Sequence, residues 1–173
     1  MASGESVVII GAGSIGRGLV ADVVAAAGLH PVFVARQAKA KALRQAGHYQ
    51  VRLVGGGESS VRTIAGYEVI TTDDRKRLRA AIASCRFAAT AVGSQNLPAI
   101  APLLAAGLAD RAEPLNILLC ENAPQGSEAL ARALVARGTA PEHFSCVRSS
   151  PEPMVRAVER SLDLVAERLR TIY

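Results

Sequence analysis

The sequence predicts an α/β fold in which a doubly wound, mostly parallel sheet carries an antiparallel hairpin insertion and a C-terminal amphipathic helix. The first observation is an apolar β-branched run, Val7–Ile10, that stops abruptly at closely spaced glycines. The second is the alternation of short apolar runs with segments of helical spacing. The third is composition: 50% of the 173 residues are hydrophobic and only 3% are aromatic. This composition suits helices layered on a parallel sheet.

The opening segment predicts the strand, tight turn and helix of a dinucleotide-binding Rossmann unit. Gly11, Gly13 and Gly16 have the spacing G-x-G-x-x-G. Gly11 permits the turn, Gly13 lets a pyrophosphate approach the N–H groups at the helix start, and Gly16 lets the helix pack closely. A glycine turn that only packs a helix onto a strand is the alternative. The predicted cofactor contacts here are Gly11, Ala12, Gly13, Ser14, Ile15, Gly16 and Arg17, with the Arg17 guanidinium near the phosphate.

The next segments predict a second strand and a helix. Gly28 closes the first helix, Pro31–Ala35 is an apolar run, and residues 37–46 are rich in Ala and Lys. In this fold the second strand normally ends near an Asp or Glu that binds the adenosine ribose, but here Val34 and Arg36 stand in that region. Arg36 either accepts a 2′-phosphate, which favours NADP, or is an exposed loop residue. The predicted cofactor is therefore NAD or NADP.

A hairpin and a third helix follow. Residues 49–54 and 61–65 alternate apolar and polar residues around a glycine-rich tip, which predicts antiparallel strands added to the parallel sheet. Thr72 and Asp73 are candidate N-caps of a helix that runs to about Ser84.

Two further buried strands carry polar residues at their carboxyl ends, where ligands of open α/β sheets lie. Residues 87–92 precede a Gly-Ser-Gln-Asn loop, the return helix spans 97–108, and residues 115–120 precede Glu121 and Asn122. The alternative for Asn122 is a cap of the helix that begins near Gln125. The predicted cofactor contacts here are Ala91, Val92, Gly93, Glu121 and Asn122.

The end of the chain predicts a last strand and a separate helix. Residues 144–148 read as the strand, Pro151 and Pro153 break the chain, and apolar residues then recur at alternating spacings of three and four. We expect a dinucleotide-binding domain over residues 1–150 and a helix over 151–173. That helix packs on the domain or forms a homodimer with a second subunit.

Composition excludes several classes of protein. Cys85, Cys120 and Cys146 lack metal-ligand spacing, so we expect reduced thiols and no metal. The net charge of +5 is not accompanied by aromatic residues among the basic ones at 75–79, so a solvated helix face is favoured over a nucleic-acid site. No signal peptide or membrane span is evident, which predicts a cytoplasmic protein without a membrane partner.

Several segments together resemble the long-chain mannitol dehydrogenase family of polyol oxidoreductases. They are GAGSIGRG at 11–18, HYQVRLVG at 48–55, TAVGSQNLPAIAPLLAAGL at 90–108 and PLNILLCEN at 114–122. The resemblance covers most of residues 6–148. It implies hydride transfer between NAD(P) and a polyol or polyol phosphate, and it gives Asn122 a catalytic role in holding the reacting oxygen.

The sequence also departs from that family. The resemblance implies a second, mostly helical domain with a catalytic Lys, and no segment of this chain matches it. A dehydrogenase domain whose catalytic subunit is separate is one interpretation, and a stand-alone dinucleotide-binding or sensing module that dimerises is the other. In either case, the resemblance implies no appreciable polyol oxidation by this chain alone, because a general base is missing.

Overall fold

The computed structural model describes residues 6–55, 58–121, 123, 125–149, 155–157 and 162–167. The strands are β1 (Ser6–Ile10), β2 (His30–Ala35), β3 (His48–Gly55), β4 (Glu58–Ala65), β5 (Glu68–Thr71), β6 (Phe87–Thr90), β7 (Leu115–Leu119), β8 (Phe144–Arg148), β9 (Val155–Ala157) and β10 (Leu164–Glu167). The α-helices are α1 (Ala21–Ala26), α2 (Gln37–Ala46), α3 (Arg75–Ser84), α4 (Leu97–Leu108) and α5 (Gly126–Val135). A π-helical turn, Gly16–Val20, precedes α1, and short 3-10 turns occupy Ser94–Asn96 and Pro141–His143.

The main sheet has six parallel strands in the order β5-β2-β1-β6-β7-β8. From β1 the chain winds outward through β2 to β5, then returns to place β6 on the other side of β1. This reversal leaves a crevice at the carboxyl ends of β1 and β6, the place where ligands bind in doubly wound sheets. The predicted doubly wound parallel fold is confirmed.

Helices cover both faces of this sheet. Since side chains alternate along a strand, β1 supplies both hydrophobic cores. The core under α3, α4 and α5 includes Val8, Ile10, Leu78, Leu104 and Leu130. The core under α1, α2 and the second sheet includes Val7, Ile9, Val24, Leu43 and Tyr49. The apolar run at the start of the sequence is thus buried on both faces, as a parallel strand requires.

The predicted hairpin is confirmed, but it belongs to a separate sheet with the order β4-β3-β10-β9. β3 pairs antiparallel with β4 and parallel with β10, so a hairpin and a segment over a hundred residues later share one sheet. The ion pair between Arg62 of β4 and Asp22 of α1, with 3.0 Å between Nη1 and Oδ2, ties this sheet to the first helix.

An aromatic cluster fills the space between the two sheets. The ring of Phe33 on β2 lies 6.4 Å from that of Tyr49 on β3 and 5.4 Å from that of Tyr67. The Tyr49 hydroxyl donates a 2.8 Å hydrogen bond to the carbonyl of Arg17, and the Tyr67 hydroxyl donates a 3.0 Å bond to that of Leu43. Burial raises the pKa of the Tyr49 hydroxyl well above its usual range, so it remains a donor.

The predicted C-terminal helix is wrong wherever the structure describes that segment. Val155–Ala157 and Leu164–Glu167 are strands, because β10 pairs with the exposed edge of β3 and β9 pairs with β10. Leu162 and Asp163, just before β10, are not helical either, and the other residues of the predicted helix at 151–173 lie outside the described part of the chain. The homodimer stays a prediction.

Two smaller predictions also need correction. β5, at Glu68–Thr71, is absent from the sequence prediction, because four residues beside a hairpin give little periodic signal. The N-cap of α3 is Asp74 rather than Thr72 or Asp73, since the Asp74 side chain accepts a hydrogen bond from the backbone N–H of Arg77.

Replacing Tyr49 with Phe tests the contact between the second sheet and the π-helical turn. The substitution keeps the ring but removes the buried hydroxyl, and we expect the free energy of unfolding to fall by about 1 kcal/mol. Urea denaturation measures this change. Tyr67→Phe is the matched control: its hydroxyl is only partly buried, so water replaces its bond at lower cost. An equal or larger loss in Tyr67→Phe would contradict the assignment.

Candidate functional site

The glycine turn is set by close backbone contacts at two positions. Gly11 has a φ of +110°, and a Cβ there would lie 2.3 Å from the carbonyl oxygen of Ala91. A Cβ on Gly16 would lie 2.0 Å from the carbonyl oxygen of Gly11. The N–H of Gly11 also donates to the carbonyl of Val34 on β2 at 3.0 Å. The turn therefore packs closely against β2, the end of β6 and the helix that follows it.

Gly13 is the exception among these glycines, because a Cβ there would have no neighbour within 4 Å. It is exposed at the crest of the turn, with half-buried Ser14 and Ile15 after it. Within the described part of the chain, no backbone group accepts a hydrogen bond from the N–H of Ala12 or Gly13. An open surface with free N–H donors before a helix is suited to an anion.

Arg17 does not reach this open surface. It is 3% exposed, its Nε donates a 3.0 Å hydrogen bond to the carbonyl of Ala12, and its Nη1 donates to the carbonyl of Leu162. Its guanidinium carbon also lies 5.6 Å from the centre of the Tyr49 ring. The prediction that this side chain meets the phosphate is therefore corrected: the guanidinium joins the turn to the segment before β10.

The loop after β6 forms the other side of the crevice. Ala91 continues the pairing with β1 through a 2.8 Å hydrogen bond from its N–H to the carbonyl of Ile10. Val92 and Gly93 follow, and Gly93 has a φ of +86° that turns the chain away from the sheet. The Asn96 amide donates to the carbonyl of Val92 at 2.8 Å and holds this turn closed. Ala91, Val92 and Gly93 are all half-buried at the mouth of the crevice.

Glu121 braces this loop from the neighbouring strand. Its carboxylate is 5% exposed and accepts hydrogen bonds from the Thr90 hydroxyl at 2.7 Å and from the Val92 N–H at 2.9 Å. Both carboxylate oxygens are therefore used to hold the ends of β6 and β7 together. The prediction of Glu121 as a direct cofactor contact is replaced by a positioning role. Asn122, the predicted catalytic residue, lies outside the described residues.

Arg36 lies directly after β2 and is the N-cap residue of α2. Its side chain is exposed and forms no hydrogen bond or ion pair with any described residue. Lys39, one turn later on α2, was not predicted as a site residue. Burial and then the charge of Arg17 lower the pKa of its ammonium group. The spacing of three from Arg36 is the sequence signal that could have identified it.

The cysteines take no part in this arrangement. Cys85, Cys120 and Cys146 are free thiols. Burial raises the pKa of all three and brings those of Cys85 and Cys146 to about 11, so they are protonated at neutral pH. In the described residues, no group of three or more His, Cys, Asp or Glu side chains is placed to hold a metal ion. None of the helices described combines the length and hydrophobicity needed to cross a bilayer.

Comparison with known proteins identifies clear relatives. A model of the family described as "Mannitol dehydrogenase Rossmann domain" matches residues 5–158. The mannitol-1-phosphate 5-dehydrogenase of Geobacillus thermodenitrificans is 36% identical over 131 residues, which cover 72% of this chain and 34% of that protein. The enzyme of the same name from Brevibacillus brevis is 37% identical over 125 residues, which cover 69% of this chain and 32% of that protein. The chain thus spans about a third of the length of these relatives.

A solved structure gives the same fold at much lower identity. The ternary complex of Pseudomonas fluorescens mannitol 2-dehydrogenase with NAD and D-mannitol aligns with a TM-score of 0.67 and 15% identity. The alignment covers 94% of this chain and 47% of that chain. The shared architecture is that of a Rossmann domain.

Glu121→Gln tests the brace between the ends of β6 and β7. A Gln amide keeps one acceptor oxygen for the Val92 N–H, but it removes the negative charge that strengthens both bonds, and its NH2 group requires the Thr90 hydroxyl to change from donor to acceptor. We expect the free energy of unfolding to fall by about 1–3 kcal/mol, measured by urea denaturation. Glu113→Gln is the matched control, because Glu113 is exposed and should change stability by less than about 0.5 kcal/mol. Equal effects of the two substitutions would contradict the positioning role.

Proposed function

The chain belongs to the mannitol dehydrogenase Rossmann-domain family, and we propose that it binds a nicotinamide dinucleotide in the crevice between β1 and β6. The turn at Gly13 would hold the pyrophosphate, and the loop Ala91–Gly93 would hold the nicotinamide end. The bound dinucleotide supplies the hydride acceptor for oxidation of an alcohol. The chain's own residues bind this group, orient it and shape the pocket around it.

The observation that carries this proposal is the open surface at Gly13. At Gly11 and Gly16 the turn packs tightly against neighbouring backbone. At Gly13 it is open, because a Cβ there would meet nothing within 4 Å. The N–H groups of Ala12 and Gly13, which have no backbone acceptor among the described residues, give an anion two donors at the start of the helix. A turn that served only to pack the helix would not need a bare backbone at its crest.

The substrate class follows from the relatives. Because the matched relatives carry the name mannitol-1-phosphate 5-dehydrogenase, we infer that the chain serves oxidation of a sugar alcohol or its phosphate. The mannitol 2-dehydrogenase complex with NAD and D-mannitol, of the same fold, supports a nicotinamide cofactor. In this proposal Asn122, which comes after β7 in the sequence, holds the reacting oxygen, since an amide N–H stabilises a developing alkoxide. The match covers 34% of the Geobacillus relative, so residues outside this match complete the reaction.

Gly13→Val is the direct test of dinucleotide binding. The valine side chain would project into the space proposed for the pyrophosphate, and we expect affinity for both NAD and NADP to fall at least a hundredfold. Isothermal titration calorimetry measures both dissociation constants. The melting temperature should stay close to that of the parent chain, because the open space around Gly13 accommodates the side chain.

The control places the same residue on the helix that follows the turn. Ala25 is exposed on α1, away from the turn, and Ala25→Val should leave both affinities unchanged. If Gly13→Val binds the dinucleotides as tightly as this control, the glycine turn does not hold the pyrophosphate.

A further inference from the structure

We propose that Arg36 and Lys39 form a subsite for the 2′-phosphate of NADP, so that this chain binds NADP in preference to NAD. This inference rests on the proposed dinucleotide binding and specifies which dinucleotide is bound. The relevant pair, called the basic pair below, consists of Arg36 just after β2 and Lys39 on the first turn of α2.

Strand pairing places the basic pair at the end of β2, next to the glycine turn. β1 and β2 are adjacent and parallel, with Ile10 opposite Val34, and the Gly11 N–H donates to the Val34 carbonyl. Arg36 therefore follows within two residues of the contact that anchors the glycine turn. The adenosine ribose of a dinucleotide lies beside the end of this second strand when its pyrophosphate lies on the turn.

The end of β2 lacks the group that would exclude a phosphate. A carboxylate at this position binds the ribose hydroxyls and repels a 2′-phosphate, but here the strand ends in Val34 and Ala35. Two acidic residues, Asp73 and Asp74, follow β5, which pairs with β2 on the side away from β1. Of these, Asp74 caps α3, and Asp73 accepts a hydrogen bond from the Thr72 hydroxyl.

The charges of the basic pair are available for an anion. Arg36 is exposed and unpaired among the described residues, so its guanidinium is free to form two parallel bonds to a phosphate. Lys39 is exposed on the first turn of α2, three residues after Arg36. Two cations at the end of β2 favour a dianionic phosphate over a neutral ribose hydroxyl.

The experiment compares NADP with NAD for the parent chain and three variants. Dissociation constants for both dinucleotides are measured by calorimetry at one fixed salt concentration, and 2′,5′-ADP and ADP serve as probes that lack the nicotinamide. We expect the parent to bind NADP more tightly than NAD. Arg36→Ala and Lys39→Ala should each lower the ratio of NADP to NAD affinity by about tenfold or more, which corresponds to loss of a charged hydrogen bond.

Lys41→Ala is the matched control, because Lys41 is an exposed lysine on the same helix and should leave the ratio unchanged. A parent chain that prefers NAD, or a ratio equally insensitive to all three substitutions, would overturn the 2′-phosphate subsite and leave dinucleotide binding intact. Failure of the parent to bind either dinucleotide would overturn both proposals.

Discussion

The candidate site depends on the contact between three pieces of backbone at Gly11. The Gly11 N–H bonds to β2, a Cβ on Gly11 would overlap the Ala91 carbonyl after β6, and the Gly11 carbonyl lies against Gly16. Only glycine permits such distances. This contact fixes the turn against the sheet, directs the following helix and leaves Gly13 as the bare crest. The open surface at Gly13 is thus a consequence of the dense packing beneath it.

Arg17 extends this constraint to the rest of the chain. A buried guanidinium needs hydrogen-bond acceptors, and here the carbonyls of Ala12 and Leu162 supply them while the Tyr49 ring covers its face. The hydroxyl of Tyr49 in turn bonds to the carbonyl of Arg17. Arg17 therefore joins the second sheet to the glycine turn, through Tyr49 on β3 and Leu162 just before β10. The Arg17 side chain, which the sequence suggests as a phosphate ligand, instead stabilises the turn through hydrogen bonds within the protein.

The crevice combines a rigid frame with unpaired donors. Glu121 holds the ends of β6 and β7 together through Thr90 and Val92, which keeps the loop at Ala91–Gly93 in place. On the opposite side, Arg36 has no hydrogen-bond or ion-pair partner among the described residues, and the turn offers the N–H groups of Ala12 and Gly13. Polar groups with hydrogen-bond partners in the protein define the shape of the pocket. Polar groups without such partners among the described residues are those suited to contact a charged cofactor.

The sequence by itself determined the parallel sheet, the hairpin and the glycine turn, because these depend on local patterns: apolar runs, period-two alternation and glycine spacing. It also identified Arg36, since the absence of an acidic residue after β2 is visible in the residues. Only the tertiary structure decided the partners of Arg17 and Glu121, which are distant in sequence or reached across neighbouring strands. The same holds for the C-terminal segment. Its spacing suggests a helix, but at the described residues the unpaired edge of β3 provides backbone partners that make it a strand.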